Sequence, residues 1–192
     1  MDLRVKKTYA ALIEACTKLL SERRYEDMSV AMLCEEATIR RTTFYKHFAD
    51  KSEFFAFYVE SLRGQMVERG HRALQNVGEQ DDEAGERRAV LYEFADYLLE
   101  HEALMDNIFS SSLPGVLLDV ICEKVADAFY EGAVRHLQGG APAVTGLVER
   151  ADFAAGGVVR SMLRWWNGSD RVERREDFVE LSAALAARVL DE

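Results

Sequence analysis

Apolar side chains recur at intervals of three and four residues along most of this 192-residue chain, and this helical period restricts its fold more than any other feature. Only two prolines, Pro114 and Pro142, interrupt the sequence, and alternating β-branched runs are absent. The sequence therefore predicts an all-α fold of about nine helices, in which three short helices precede a larger helical bundle. The first stripe, on a helix from about Leu3 to Ser21, consists of Tyr9, Leu12, Ile13, Cys16, Leu19 and Leu20.

Three short helical segments precede a long one in the N-terminal part. A second helix is expected after an N-cap at Ser29 and should end near Ala37, and a third should run from about Arg41 to Phe48. Asp50 is a suitable cap for the long fourth helix, with Glu53 at the third position as a capping-box partner.

Polar and glycine-containing segments divide the remainder into further helices. Residues 77–85 are polar and acidic and are expected to form a loop, and residues 138–142 form a clear break. Pro114 suits the first turn of a helix that should reach about residue 137. The other expected helices span about residues 90–101, 103–109, 144–166 and 174–190.

Composition excludes several classes of protein. No window has the eighteen or so continuous apolar residues of a membrane span, and the N-terminus lacks the apolar segment of a signal peptide. Cys16, Cys34 and Cys122 are widely spaced, without a metal-ligand pattern. We therefore expect a cytoplasmic protein with no metal and no cofactor, whose thiols are reduced and buried; a redox-sensing thiol is the alternative.

The net charge of –10 at first argues against a nucleic-acid partner, but the charge is unevenly distributed. Residues 1–52 contain ten Lys and Arg against eight Asp and Glu, whereas the remainder contains 14 and 26. A mildly basic N-terminal segment thus precedes a strongly acidic one. Because the acidic part would repel phosphates, DNA could be approached in one orientation only.

The segment from Thr38 to Phe48 is the most informative in the sequence. On a helix starting at Arg41, Phe44 and Phe48 lie four residues apart on one face and, with Ile39, would hold the helix against its neighbours. The remaining side chains can nearly all donate a hydrogen bond, and none in the segment is acidic. This chemistry suits a groove lined by phosphates and base edges; a polar helix that merely faces solvent is the alternative.

The first fifty or so residues resemble the DNA-binding domain of the TetR (tetracycline repressor) family. The family's run of Thr, an apolar residue, Tyr, any residue, His and Phe, followed shortly by Lys, is present without a gap. The matching residues are Thr8, Ile13, Ala15, Leu19, Leu20, Tyr25, Ser29, Ala37, Thr43, Phe44, Tyr45, His47, Phe48 and Lys51. The resemblance implies a helix-turn-helix DNA-binding domain at residues 1–52 and a helical effector-binding and dimerisation domain at residues 53–192.

The resemblance also implies individual DNA-binding roles. Tyr45, His47 and Lys51 occupy positions that usually contact phosphates, and Ser29 matches the cap of the first helix of the motif, a position that commonly touches a phosphate. The positions of Arg41, Thr42 and Thr43 face bases and the nearby backbone, and Arg40 and Lys46 are additional candidates.

Two residues depart from the family pattern. Thr38 replaces the usual glycine in the turn between the motif helices, so we expect a different turn and a slightly tilted reading helix. Arg40 replaces the usual small N-cap residue, which forfeits on the order of 1 kcal/mol of capping. Its guanidinium could instead bind a phosphate or, bidentately, a guanine edge.

The C-terminal part is similar to the branch of the family whose members resemble dihydroxyacetone-kinase regulators, through the segment from Phe153 to Trp166. Residues 154–157, Ala-Ala-Gly-Gly, would let another helix approach closely, either within the chain or in a dimer. The family norm favours a homodimer through the last two helices. The candidate interface residues are Ala154, Gly157, Trp165, Phe178, Leu181 and Leu185.

A small-molecule effector pocket is the other implication of the resemblance. Aromatic residues at helical spacing more often form plain core, which is the alternative for its candidate lining residues: Phe57, Tyr58, Phe94, Tyr97, Met105, Phe109, Phe129, Tyr130 and Met162. Effector binding would shift the fourth helix and change the separation of two reading helices that contact a near-palindromic operator on double-stranded DNA.

The sequence thus predicts a ligand-responsive repressor that binds DNA as a dimer. A co-regulator that receives its signal from a protein partner is the alternative. An enzyme is not favoured, because the chain has no glycine-rich phosphate loop, nucleophile elbow, metal-spaced His/Cys cluster or evident acid–base pair.

Overall fold

The computed structural model describes residues 3–76, 83–111, 114–138 and 145–191. Within those ranges the chain is all-α, as predicted, with nine α-helices and one short 3₁₀ helix at Tyr25–Asp27. The helices are α1 (Leu3–Glu22), α2 (Val30–Glu36), α3 (Arg41–Phe44), α4 (Lys51–Asn76), α5 (Glu83–Glu100), α6 (Glu102–Phe109), α7 (Pro114–Gln138), α8 (Leu147–Trp166) and α9 (Arg175–Asp191).

The chain forms two compact units, each with its own core. The first comprises Met1–Gln65 and Glu100–Leu117, and the second comprises Met66–Leu99 and Leu118–Glu192. Helix α4 continues through residue 52, where the sequence placed a domain boundary, and supplies residues to both units. The two compact units therefore do not divide at residue 52, and the assignment of DNA binding to residues 1–52 stays a prediction.

Helix α1 forms the centre of the first unit. Four members of its predicted apolar stripe, Leu12, Cys16, Leu19 and Leu20, are buried, whereas Tyr9 and Ile13 are half-buried. The helix packs against α6 and α2, and α2 packs against α3. The Asn107 side-chain amide donates to the carbonyl of Leu20 over 2.9 Å, so the end of α1 is also fixed by a hydrogen bond. Since this face must stay inside, α1 provides a fixed support for the short helices that follow.

The packed pair of α8 and α9 dominates the second unit. Trp165 and Phe178 stack with ring centroids 4.7 Å apart and planes within 5°, and the Trp165 indole donates to the Arg171 carbonyl over 2.7 Å. The polar tip of the indole is thus satisfied while its rings are buried.

Polar contacts also join α9 to α5. The buried Arg87 guanidinium pairs with Asp191 at 2.9 Å, and Arg175 forms an ion pair with Asp96. These contacts connect both ends of α9 to α5.

Most expected helix ends agree with the structure to within a few residues, but two expectations were wrong. The third helix ends at Phe44, four residues before Phe48. Helix α5 begins at Glu83, inside the segment expected to be a loop; residues 77–82 of that segment, and residues 139–144 around the second break, lie outside the described residues. None of the described helices is long and apolar enough to cross a membrane.

Candidate nucleic-acid interface

Helix α2 begins at the cap that the sequence predicts. Ser29 has extended backbone angles, and its hydroxyl accepts a hydrogen bond from the Met32 amide at 3.2 Å. Leu33 and Cys34 are buried, which fixes the inner face of the helix. Ser29 itself is exposed, so its hydroxyl can serve as cap and remain near the surface.

The turn after α2 retains the left-handed conformation even though threonine replaces glycine. Thr38 has φ of 54°. Its amide donates to the carbonyl of Glu35 at 3.1 Å, and the Ile39 amide donates to the carbonyl of Cys34 at 2.9 Å. These two bonds are those of a Schellman motif, which usually has glycine at this position. The altered turn expected from the sequence is therefore not formed, and Thr38 instead carries the steric cost of a positive φ.

Residues 40–48, which we call the reading segment, form one short helix followed by tight turns. Arg40 precedes α3 with extended angles and no side-chain cap, as expected, and its carbonyl accepts from the amides of Thr43 and Phe44. Beyond α3, the amides of His47 and Phe48 donate to the Phe44 carbonyl at 2.9 and 3.0 Å. The α-helix ends early, but hydrogen bonds of helical spacing continue to Phe48.

Aromatic rings hold the inner side of the reading segment. Phe44 is completely buried and Phe48 nearly so. Both contact Phe54 on α4, with centroids 5.8 and 5.1 Å away, and Phe48 also contacts Phe57 at 5.4 Å. The clamp predicted from the four-residue spacing is thus confirmed, and α4 supplies the surface that it grips.

The outer side of the reading segment is polar and free of acidic residues. Tyr45 exposes 55% of its surface. The exposed members of the predicted DNA-binding set here are Arg40, Arg41, Thr42, Tyr45 and Lys46, and the half-buried ones are Thr43 and His47. One surface thus brings together donors of several kinds, as direct and phosphate contacts require.

Acidic side chains next to the reading segment are engaged with neighbouring groups. Asp50 accepts hydrogen bonds from the amides of Ser52 and Glu53 at 2.8 and 2.9 Å and so caps α4, as predicted. Glu53 accepts from the Ala49 amide. These carboxylates stabilise the start of α4, where negative charge is favourable.

Lys51 occupies a different position from the one its predicted phosphate contact suggests. Its ammonium donates to the carbonyls of Tyr25 and Met28 at 2.8 and 2.7 Å and lies 4.0 Å from the centroid of the Tyr25 ring. Partial burial lowers the pKa of Lys51, and nearby Glu26 and Asp27 oppose that shift. In this structure Lys51 fastens α4 to the 3₁₀ helix, and phosphate binding by it stays a prediction.

Tyr9 contacts the reading segment, although the sequence assigned it only to the apolar stripe of α1. Its hydroxyl lies 3.5 Å from Nδ1 of His47, and the two rings meet edge to face at 5.2 Å. The two residues are 38 positions apart, so no local pattern could have shown this contact.

The candidate effector-pocket residues divide between the two compact units. Phe57, Tyr58, Met105 and Phe109 belong to the first unit, where Tyr58 is fully buried and its hydroxyl lies 2.9 Å from that of Thr17. Phe94, Tyr97, Phe129, Tyr130 and Met162 belong to the second. Met162 is fully buried, whereas Tyr130 is 41% exposed. Their role in ligand binding stays a prediction.

The candidate dimer residues of α8 and α9 divide into buried and exposed side chains. Ala154, Trp165 and Phe178 are buried within the second unit. Gly157 is exposed, and a Cβ added to it would meet no atom within 4 Å. Leu181 and Leu185 are 61% and 48% exposed, and Phe153, not among the predicted interface residues, is 74% exposed.

The cysteines have the environments of small apolar side chains. Cys16 and Cys34 are buried and Cys122 is half-buried. Burial raises the pKa of each thiol, most strongly that of Cys16. A raised pKa disfavours the reactive thiolate, so these environments favour the structural interpretation over redox sensing.

Comparison with known proteins matches the N-terminal part of the chain to a protein family. The family model described as "Bacterial regulatory proteins, tetR family" matches residues 12–56, which include α2, the strained turn and the whole reading segment. No curated protein sequence matches this chain.

Solved structures share the fold over nearly the whole chain. A TetR-family transcriptional regulator (ECA1819) from Pectobacterium atrosepticum has a TM-score of 0.73 and 22% identity, covering 100% of this chain and 98% of that one. RolR without ligand has a TM-score of 0.68 and 17% identity, covering 95% and 96%. The dihydroxyacetone kinase operon activator DhaS has a TM-score of 0.65 and 15% identity, covering 96% and 98%.

The family match over residues 12–56 confirms the resemblance drawn from the residues between Thr8 and Lys51. The reading segment lies within the matched residues, and its outer face carries several hydrogen-bond donors. Residues 12–56 of this chain thus match the tetR family of bacterial regulatory proteins, and the described chain shares its fold with solved TetR-family transcriptional regulators.

Proposed function

We propose that this protein is a ligand-responsive repressor that binds a near-palindromic operator as a homodimer. The observation that carries the DNA-binding part is the two-sided reading segment. Phe44 and Phe48 anchor one side in the core of the first unit, while the other side presents Arg41, Tyr45 and Lys46. Because the inner side is held rigidly, the outer donors lose less conformational entropy when they bind a groove.

Arg41, Thr42 and Thr43 are assigned to bases and the adjoining backbone, and Tyr45, Lys46 and His47 to phosphates. Arg40 and Ser29 extend the phosphate contacts at the two helix starts, and Lys51 reinforces them from α4. The assignment follows the resemblance to the family, and the exposure of Ser29, Arg40, Arg41, Thr42, Tyr45 and Lys46 is compatible with it.

The outward face of the α8–α9 pair supports the dimer. Phe153, Gly156 and Gly157 are exposed on α8, and Leu181 and Leu185 are exposed on α9, so the exposed surface of the pair has apolar bulk and room for another helix to approach. We place the interface on this face, and Trp165 and Phe178 support it from within each chain. A two-fold dimer would hold two reading segments about 34–36 Å apart, one turn of DNA.

A small apolar molecule is the effector that the candidate lining suits. RolR, whose fold this chain shares, has been solved in complex with resorcinol, with 18% identity and a TM-score of 0.66. In the second unit Phe94, Phe129 and Met162 supply apolar surface, and Tyr97 lies beneath the Arg69 guanidinium at 5.0 Å. Helix α4 supplies residues to both units. We therefore assign the transmission of the signal to α4: effector binding would shift this helix and change the separation of the two reading segments in the dimer.

DNA binding is tested by selecting duplexes from a random pool with the full chain and measuring fluorescence anisotropy on the selected sequence. We expect a near-palindromic site and steep loss of affinity with salt. For each phosphate contact removed, the slope of log affinity against log salt should become shallower by about 0.9. Lys46→Gln should show that change. The matched control is Lys18→Gln, because Lys18 lies on α1 and forms an ion pair with Glu36 of α2.

Three results would contradict parts of the proposal. Failure to select any sequence would remove operator binding, and a monomer by light scattering at micromolar concentration would remove the dimer. If a panel of small phenols leaves both the melting temperature and DNA affinity unchanged, while a neighbouring gene product releases the DNA, the signal comes from a protein partner instead.

A further inference from the structure

A contact between α1 and the reading segment suggests a role that the DNA-binding residues alone do not explain. The Tyr9 hydroxyl lies 3.5 Å from His47 Nδ1, and the tyrosine ring meets the imidazole edge to face with centroids 5.2 Å apart. His47 is half-buried, so part of its ring faces this contact and part reaches the surface. The contact therefore restrains a side chain that we assign to a phosphate.

Tyr9 is itself firmly placed. Its ring packs against Phe57 of α4 at 4.9 Å and against Phe48 at 5.6 Å. Since Phe48 is almost fully buried and is held by Phe54, the tyrosine rests on the aromatic group that anchors the reading segment. Its hydroxyl thus approaches His47 from a fixed point.

We propose that Tyr9 is a positioning residue of the DNA interface, whose hydroxyl donates to Nδ1 of His47 and so presents Nε2–H to a phosphate oxygen. In neutral histidine one ring nitrogen donates and the other accepts, so a donor at Nδ1 places the hydrogen on Nε2. Nε2 lies on the ring edge away from Nδ1, and an N–H there is a donor that an anion accepts.

The reverse arrangement would not serve the same purpose. If Nδ1–H of the neutral ring donated to the tyrosine oxygen, Nε2 would carry a lone pair and would repel the phosphate. Tyr9 thereby lets the uncharged imidazole act as a donor. This inference rests on the proposed phosphate contact of His47, but the state of the ring in the protein without DNA is a separate observable.

The ring state is measured by ¹⁵N NMR of the imidazole nitrogens in the DNA-free protein, with His47→Gln used to assign the signals. At a pH where the ring is neutral, we expect Nδ1 of the wild type to give the signal of an unprotonated acceptor and Nε2 that of N–H. Tyr9→Phe, which keeps the ring packing, should move the Nδ1 signal. Tyr92→Phe, which removes a hydroxyl bonded to Glu180 in the second unit, should leave it unchanged.

DNA affinity gives the second readout. Tyr9→Phe should weaken binding about 2- to 10-fold, the effect of losing one hydrogen bond. His47→Gln provides a side-chain N–H that needs no tautomer, so adding Tyr9→Phe to His47→Gln should cause little further loss. A merely structural role of the Tyr9 hydroxyl would produce the same loss in both backgrounds.

The outcomes separate this inference from the proposed function. If the wild type binds no DNA but its Nδ1 signal depends on the Tyr9 hydroxyl, the proposed function fails and the contact stands. If the wild type binds DNA and Tyr9→Phe changes neither the Nδ1 signal nor the affinity, the positioning role of Tyr9 is overturned.

Discussion

The reading segment and the α8–α9 pair both rest on buried aromatic rings, yet they present opposite chemistry outward. Phe44 and Phe48 anchor a segment whose exposed side chains are hydrogen-bond donors. Trp165 and Phe178 anchor a helix pair whose exposed side chains include Phe153 and Leu181. The difference shows that buried aromatic rings fix the position of a surface, whereas its exposed residues determine what it can bind.

The helices of the two regions also differ in length, and therefore in how far they depend on tertiary contacts. Helix α3 has four residues, too few to be stable without tertiary contacts, whereas α8 and α9 have 20 and 17. The reading segment therefore depends on its anchor, and the helix pair should tolerate changes on its outer face.

The largest effect should follow from removing the inner anchor of the reading segment. Phe44→Ala leaves a cavity in a fully enclosed site and should lower the free energy of unfolding by about 3–5 kcal/mol, with loss of DNA binding. Urea denaturation followed by circular dichroism measures the loss. Val172→Ala, at a valine that is 63% exposed, is the control. A loss below about 1 kcal/mol in Phe44→Ala would mean that the segment does not depend on this ring.

Charging the outer face of the helix pair should separate the chains without unfolding them. Leu181→Glu with Leu185→Glu forfeits on the order of 2 kcal/mol of apolar burial for each side chain in the proposed dimer. Sedimentation should show monomer where the wild type is dimeric, while the helical signal remains. Val172→Glu, which adds charge outside α8 and α9, should stay dimeric. An unchanged dimer in the double variant would move the interface elsewhere.

Lys51 tests whether an internal cation supports the reading segment. Lys51→Met keeps much of the stem but loses the hydrogen bonds to the Tyr25 and Met28 carbonyls, and should cost about 1–3 kcal/mol in unfolding free energy. Denaturant unfolding gives this value. Lys18→Met, at a lysine paired on the surface with Glu36, should cost less than about 1 kcal/mol. Equal losses in the two variants would deny Lys51 its fastening role.

The smallest effect should be a gain of stability. Thr38→Gly removes the cost of a positive φ, about 1–2 kcal/mol, and adds about 0.5–1 kcal/mol of unfolded-chain entropy. We therefore expect a net stabilisation of about 0.5–1 kcal/mol, seen as a higher melting temperature. Ala10→Gly, at an exposed position within α1, should instead destabilise by about 1 kcal/mol. A destabilising Thr38→Gly would show that the threonine side chain makes a compensating contact.

The helices and the anchored reading segment could be predicted because their signals are local. The caps at Ser29 and Asp50 and the four-residue spacing of Phe44 and Phe48 each lie within a few positions of the structure that they specify. The family resemblance added a functional prediction to the structural one, since the family motif includes the residues of the reading segment.

What could not be predicted depends on contacts between distant parts of the chain. Tyr9 reaches His47 across 38 positions, and Lys51 turns toward carbonyls more than 20 positions earlier. Thr38 shows the opposite case. Its intrinsic preference argued against the left-handed turn, but the hydrogen bonds of Thr38 and Ile39 to α2 form in that conformation.

The bonds of the Lys51 ammonium have a consequence for how recognition would proceed. An ammonium has three N–H donors and the two carbonyls accept from two of them, so a third N–H can donate to a phosphate while both bonds stay in place. A lysine held in this way loses less side-chain freedom on binding than a fully hydrated one. A phosphate bound there would share the same cation with the link between α4 and the 3₁₀ helix, so that DNA would reinforce one restraint on the segment that it contacts.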